Sequence, residues 1–201
     1  MTLVDSRPAL QPALRLGPFL TVPNYITIIR TLAAVTLGIV ALVAGSVALI
    51  AVAYGIYWVG DMLDGLAARW LGQETRAGAV LDIVSDRACT AVLCMGLVAL
   101  MPGVSLVAIV FLPSFMVLDT MLSLVFLCWP VTSPNYFYVV DRRVWALNWS
   151  PLAKAVNTAG VIGAVAIGQY AVAVTMALVV LLVKVWSAVA VGKLLNRDGR
   201  A

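Results

Sequence analysis

Histidine is absent from all 201 residues, so neither imidazole acid–base chemistry nor a Ser-His relay is available to this chain. Charge is scarce: Asp, Glu, Lys and Arg make up 11% of the chain, less than half of the roughly 25% usual in a soluble domain. The three cysteines, Cys89, Cys94 and Cys128, all fall in apolar runs. Their spacing matches no zinc or dithiol motif, and they read as small core hydrophobes. A net charge of +4 is spread too thinly for a nucleic-acid surface; it suits loops lying beside anionic lipid. Apolar residues fill the gap, with 63% hydrophobic residues and a mean hydropathy of +1.05. That is the composition of an integral membrane protein, and the length suits one helical bundle.

The hydropathy predicts an all-α, polytopic membrane fold with six transmembrane helices. Their expected spans are roughly 24–44, 46–70, 78–101, 104–129, 151–168 and 170–195, each near the ~20 residues a bilayer needs. The fifth is the shortest, and Pro113 is expected to kink the fourth. The predicted organisation is a juxtamembrane segment (1–23), a transmembrane domain (24–195) and a polar tail (196–201). The first segment lacks the pattern of a signal peptide, because Asp5, Pro8, Pro12 and Pro18 interrupt any apolar core. Its stretch ALRLGPFL reads as interfacial. The turns after the first, third and fifth helices carry no Lys or Arg. Basic residues gather instead near the N-terminus, the 70–77 turn, the 130–150 loop and the tail, which predicts both termini on the cytoplasmic side. Trp70, Trp129, Trp145 and Trp149 read as an interfacial belt. Gly160 and Gly163 suit close helix packing.

Against that apolar background, the stretch from Asp61 to Asp86 (DMLDGLAARWLGQETRAGAVLDIVSD) holds four aspartates. Carboxylates within membrane segments are costly and mark function by default. Asp61 and Asp64 are spaced i,i+3, and Asp82 and Asp86 i,i+4, so each pair shares a helix face. Gly65, Ala68 and Gly78 extend those faces with small residues that permit close approach. The polar break GQETR reads as a turn between antiparallel helices, which places the two acid pairs opposite one another at similar depth. Arg69 and Arg87 are expected to be the only fixed positive charges near the cluster, with Arg87 able to point away. Four like charges in a poorly solvated site must take up protons or recruit cations. A donor set of oxygens alone suits Mg²⁺ or Mn²⁺, and two such ions on four carboxylates are a common device for displacement at phosphorus. A merely structural ion-paired hairpin needs acids matched by bases, not four acids.

The run Asp61-x2-Asp64-Gly65-x2-Ala68-Arg69-x8-Gly78-x3-Asp82-x3-Asp86 resembles the signature of the CDP-alcohol phosphatidyltransferase family. The resemblance implies transfer of a phosphatidyl group from CDP-diacylglycerol to an alcohol, with release of CMP. It further implies that Asp61, Asp64, Asp82 and Asp86 hold two Mg²⁺ or Mn²⁺ ions, with Asp86 also the general base. Gly65, Arg69 and Thr75 would meet the CDP moiety. At the head of the first helix, Asn24, Thr27 and Arg30 fall at i, i+3 and i+6 and read as a cap plus a snorkelling Arg. By resemblance, Asn24 and Thr27 also close the cytidine pocket. A homodimer is expected from the family alone, and the expected location is a bacterial cell membrane, with the site open to the cytoplasm.

The stretch from Ala67 to Gly103 is most similar to the phosphatidylinositol synthase branch, as are the placements of Asp119 and Lys184. The end of the fourth helix, MLSLVFLCWP, lacks the basic run associated with phosphorylated acceptors, so the expected acceptor is a small neutral polyol, best myo-inositol. Asp119 and Lys184 either form an interhelical salt bridge, or one or both of them line the acceptor pocket. Arg142, Arg143 and Lys154 either line the cavity mouth or anchor the cytoplasmic face. If Arg142 and Lys154 bind the acceptor, inositol phosphate or glycerol 3-phosphate stays in play. A metal-carrying transporter is disfavoured because the far ends of the helices, such as VTLGIVALVAG, offer no polar path.

Overall fold

A computed structural model describes residues 16–198, whose regular structure is all helical, with no β-strand among them. Five helices are long and apolar enough to cross a membrane: α1 (Val22–Val43), α2 (Val47–Trp70), α3 (Arg76–Leu100), α4 (Pro102–Cys128) and α7 (Tyr170–Asp198). Between α4 and α7 lie a 3₁₀ turn (Pro134–Val139), the short helix α5 (Arg142–Asn148) and the helical run α6, residues 151–166. The expected fifth membrane helix is therefore helical but short: at ~1.5 Å per residue α6 reaches about 24 Å, under the ~30 Å hydrocarbon core. It closes at Gly168, whose φ of +74° ends the run.

Local chemistry sets the boundaries. Thr21, Ser46 and Thr75 cap α1, α2 and α3 with side-chain oxygens that accept from Asn24, Leu49 and Gly78 N–H groups. Gly45 and Gly72 adopt positive φ just past α1 and α2. There the N–H groups of Ser46 and Gln73 donate back to Ala41 and Ala68 carbonyls, a Schellman closure. The α2–α3 turn is laced to the chain before α1: Ala77 N–H donates to the Leu16 carbonyl, and Gln73 Oε1 accepts from Val22 N–H. Of the stretch read as interfacial, residues 13–20, the first three lie outside the described residues; Leu16, Phe19 and Leu20 are exposed.

Small residues decide how α1, α2 and α3 meet. Ala34, Ala41 and Ala53 have no exposed surface, and Ala34 and Ala53 form one core with Tyr57, Cys89 and Leu93. Cys89 fits the small-hydrophobe reading, whereas Cys128 is exposed. Gly160 lies against Met176, but Gly163 faces open space, so only one of the two serves close packing.

The 130–150 segment is not an open loop. Phe137, Val144 and Trp149 pack with Ile83, Leu122, Phe126 and Val191 into the largest core cluster. Trp129 meets the Phe137 ring edge-on at 5.4 Å, and Trp149 lies 5.1 Å from it. Trp129 and Trp149 thus pack with this cluster, while Trp70 stands 80% exposed. Arg76 clamps this segment by donating to the carbonyls of Trp129 and Val131. Pro113 does not end α4: the helix continues and widens into a π-helical turn over Ser114–Asp119, a common response to a lost N–H and a crowded carbonyl.

Candidate functional site

The centre of the site is a residue that spacing alone did not place there. Arg30, on α1, reaches all four aspartates. Its Nε donates to Asp64 Oδ2 at 2.8 Å, and its Nη2 donates to Asp82 Oδ1 at 2.5 Å and Asp61 Oδ1 at 3.2 Å. Asp86 Oδ1 lies 3.3 Å from Nη1 and Nη2. The Arg30 side chain is 2% exposed and lies over the Tyr57 ring at 5.4 Å. The nearest positive charge is therefore Arg30 rather than Arg69 or Arg87, and it sits amid the acids instead of snorkelling. Gly60 makes room for it: a Cβ at that position would stand 2.6 Å from Arg30 Cβ. The sequence held a signal for this, since Arg30 shares a face with Asn24 and Thr27, but nothing along the chain says which neighbour that face meets.

One guanidinium offsets one of four carboxylates. Ligand oxygens of Asp61, Asp64 and Asp82 lie within 4.8 Å of one another. A hard divalent cation fits this donor set, because it supplies only oxygens and carries uncompensated negative charge. Asp64 is the most enclosed and also accepts from the Thr27 hydroxyl at 2.7 Å. Asp61, Asp82 and Asp86 keep 36%, 42% and 22% of their side chains exposed, and all line one cavity.

That cavity, of about 480 Å³, joins two polar walls. On the first, Asn24, Thr27, Gly65, Arg69 and Thr75 surround the aspartates. Gly65 presents bare backbone, with the Arg69 guanidinium 3.5 Å from where a Cβ would stand. Asn24 donates to the Phe19 carbonyl at 2.6 Å, and its Oδ1 lies 2.7 Å from a would-be Cβ on Gly78, so position 78 admits no side chain without displacing it. Thr75 Oγ1 is engaged with Gly78 N–H as the α3 cap.

The second wall is built around Asp119. Lys184 donates to Asp119 Oδ1 and, at 2.9 Å, to Asn148 Oδ1. Arg87 donates to Asp119 Oδ2 at 2.5 Å and to Thr120 Oγ1 at 2.7 Å, with its guanidinium 3.8 Å above the Phe115 ring. The expected Asp119–Lys184 pair is thus a triad with Arg87, and its members also line the cavity. Arg87 points away from the aspartate cluster toward Asp119. Lys154 lines the cavity and donates to Asn135 Oδ1 at 2.8 Å. Arg142 is exposed and does not line it, because α5 turns its buried face, Val144 and Asn148, inward. Asn148 and Ser114 went unnoticed in the sequence: one lies in an apparent loop, the other in an unremarkable apolar helix.

The model of the CDP-alcohol phosphatidyltransferase family matches residues 20–194. Among curated proteins, the chain is 40% identical over 84 residues to a CDP-diacylglycerol–inositol 3-phosphatidyltransferase of Candida albicans, covering 42% of this chain and 36% of that protein. It is 40% identical over 82 residues to a phosphatidylinositol phosphate synthase of Mycolicibacterium smegmatis, covering 41% and 36%. It is 50% identical over 46 residues to a human CDP-diacylglycerol–inositol 3-phosphatidyltransferase, covering 23% and 22%. The matched region spans little more than a third of the longest-aligned relatives. No solved structure matches the chain.

Proposed function

The chain belongs to the CDP-alcohol phosphatidyltransferase family, and from that premise we propose that it moves a phosphatidyl group from CDP-diacylglycerol to a small neutral polyol, best myo-inositol, releasing CMP. The observation that carries this reading is the convergence of four aspartates from two membrane helices on one wall of a cavity whose other wall is also polar. Asp61, Asp64, Asp82 and Asp86 would hold Mg²⁺ or Mn²⁺. When bound, the ions supply charge neutralisation of the diphosphate and polarisation of its phosphorus.

The chain's own groups do the rest. Arg69 and Thr75 lie where a diphosphate would extend from the aspartates, and Gly65 leaves the backbone bare for its approach. Asn24 and Thr27 close the cytidine end. Asp86 takes the proton of the acceptor hydroxyl as its oxygen bonds to the β-phosphorus, the lipid-side phosphorus, and the bond from that phosphorus to the CMP oxygen breaks. Arg30 fixes the relative positions of the carboxylates from α2 and α3.

Asp119 and Lys184 would face the acceptor. Both cations of that wall, Arg87 and Lys184, already bond to Asp119, which favours an uncharged acceptor. A second reading, a phosphorylated acceptor, draws on Lys154 at the cavity wall and on the name of the mycobacterial relative. The basic residues near the 70–77 turn, the 130–150 segment and the tail support a site open to the cytoplasmic side. Homodimerisation is part of the same proposal.

The test is metal-dependent CMP release by the purified protein in nanodiscs. CDP-diacylglycerol would be the donor, and myo-inositol, inositol phosphate, glycerol 3-phosphate and serine the acceptors. Turnover with myo-inositol is expected. Turnover only with a phosphorylated alcohol would overturn the acceptor assignment, and no release with any acceptor would overturn the transfer itself.

A further inference from the structure

Ser114 and Asp119 are five positions apart, which in a regular α-helix sets side chains about 140° apart around the axis. The π-helical turn Ser114–Asp119 closes that angle, and both residues line the cavity. Ser123, one turn further along, lines it too, with its Oγ 3.5 Å from Asp119 Oδ2. Single π-turns within α-helices cluster at functional positions.

Ser114 stands out within this face. The residue is 2% exposed, and its Oγ makes no hydrogen bond to any protein group. Buried hydroxyls without a partner are few in folded proteins, and each calls for an explanation. Neighbouring polar groups are already committed. Asp119 accepts from both Arg87 and Lys184, Lys184 is further held by Asn148, and Asn148 donates to Val144 O and Ser187 Oγ. The wall therefore offers hydroxyl groups and a carboxylate shared by two cations. That is chemistry for hydroxyl partners, with both cations already drawn to one carboxylate rather than free to meet a phosphate dianion.

We propose that the Ser114–Asp119 turn, with Ser123, recognises a neutral polyol acceptor: Ser114 supplies the hydroxyl that binds it, and Asp119 engages the two cations on which a phosphorylated acceptor would draw. This rests on the phosphatidyl-transfer reading. Ser114 is then a specificity residue. Asn148 is a positioning residue acting through Lys184.

The experiment titrates myo-inositol and CDP-diacylglycerol separately against CMP release by the purified full chain in nanodiscs, and records thermal unfolding. Ser114→Ala is expected to raise the myo-inositol KM about three- to tenfold, the loss of one hydrogen bond. The KM for CDP-diacylglycerol and the Tm should stay unchanged, because Ser114 Oγ has no protein partner to lose. Asp119→Asn, which frees Arg87 and Lys184, is expected to shift the ratio of turnover with inositol phosphate to turnover with myo-inositol at least about tenfold toward the anion, the effect of one released charge-assisted contact. If Asp119→Asn does not fold, the Ser114→Ala titration decides alone. A wild-type myo-inositol KM in Ser114→Ala overturns this inference and leaves the transfer reading standing. No turnover by the wild type with any acceptor overturns both.

Discussion

Arg30 Nη2 donates to Asp82 Oδ1 at 2.5 Å, tying the first membrane helix to the third at the point where α2 also delivers its two acids. The guanidinium is the one fixed counter-charge touching the four carboxylates among the described residues. A divalent cation and Arg30 therefore compete for the same negative charge. Arg30→Gln is expected to cost about 3 kcal/mol in metal-free buffer, as for removal of one partner from a buried ion pair. Mg²⁺ should raise the Tm of the variant more than that of the wild type. Equal Mg²⁺-induced shifts in both proteins would refute the competition.

Gly60 and Gly55 sit on the same helix and separate packing from propensity. A Cβ at position 60 meets Arg30 at 2.6 Å, whereas one at position 55 meets nothing within 4 Å. Gly60→Ala should destabilise by about 1–3 kcal/mol through overpacking and should weaken metal-dependent turnover by displacing Arg30. Gly55→Ala should be neutral or stabilising by up to about 1 kcal/mol. Thermal unfolding of the two variants side by side checks this; the same sign for both would sink the close-approach argument.

Asp86 is placed to serve both a metal and a proton. Asp86→Asn keeps an oxygen ligand but loses the base, so metal-dependent binding of CDP-diacylglycerol should survive while turnover falls at least about a hundredfold. Binding measured in nanodiscs with and without EDTA, beside CMP release, tells the two roles apart. Full turnover in this variant would remove Asp86 as base.

Lys184 and Arg142 were both acceptor candidates along the chain and are far from equal in space. Lys184 is 3% exposed and bonded to Asp119 and Asn148. Lys184→Met is expected to destabilise by about 3 kcal/mol, because Asn148 Oδ1 loses its donor and Asp119 one of its two cations. Arg142→Ala should stay within about 0.5 kcal/mol and leave the acceptor KM unchanged. A raised acceptor KM in Arg142→Ala would return that residue to the site.

Much of the site was written locally. The i,i+3 and i,i+4 spacings of Asp61/Asp64 and Asp82/Asp86 fix which acids share a helix face, because helical periodicity depends on near neighbours alone. Gly72 and Thr75 fix where one helix stops and the next begins, because a left-handed residue and a hydroxyl cap act within a turn. Apolar length, scarce charge and the absence of histidine set the membrane class and the oxygen-only donor set. Tertiary structure decided the rest. Arg30 meets acids 31 to 56 positions away. Arg87 and Lys184 share Asp119 across three helices. The 130–150 segment folds its aromatics into the core, α6 stops short of a full span, and a π-turn brings Ser114 beside Asp119. These outcomes depend on the rotation and depth at which helices pack, set by small residues such as Ala34, Ala53 and Gly60 meeting across interfaces, and a one-dimensional pattern carries each helix's face but not the face it will meet.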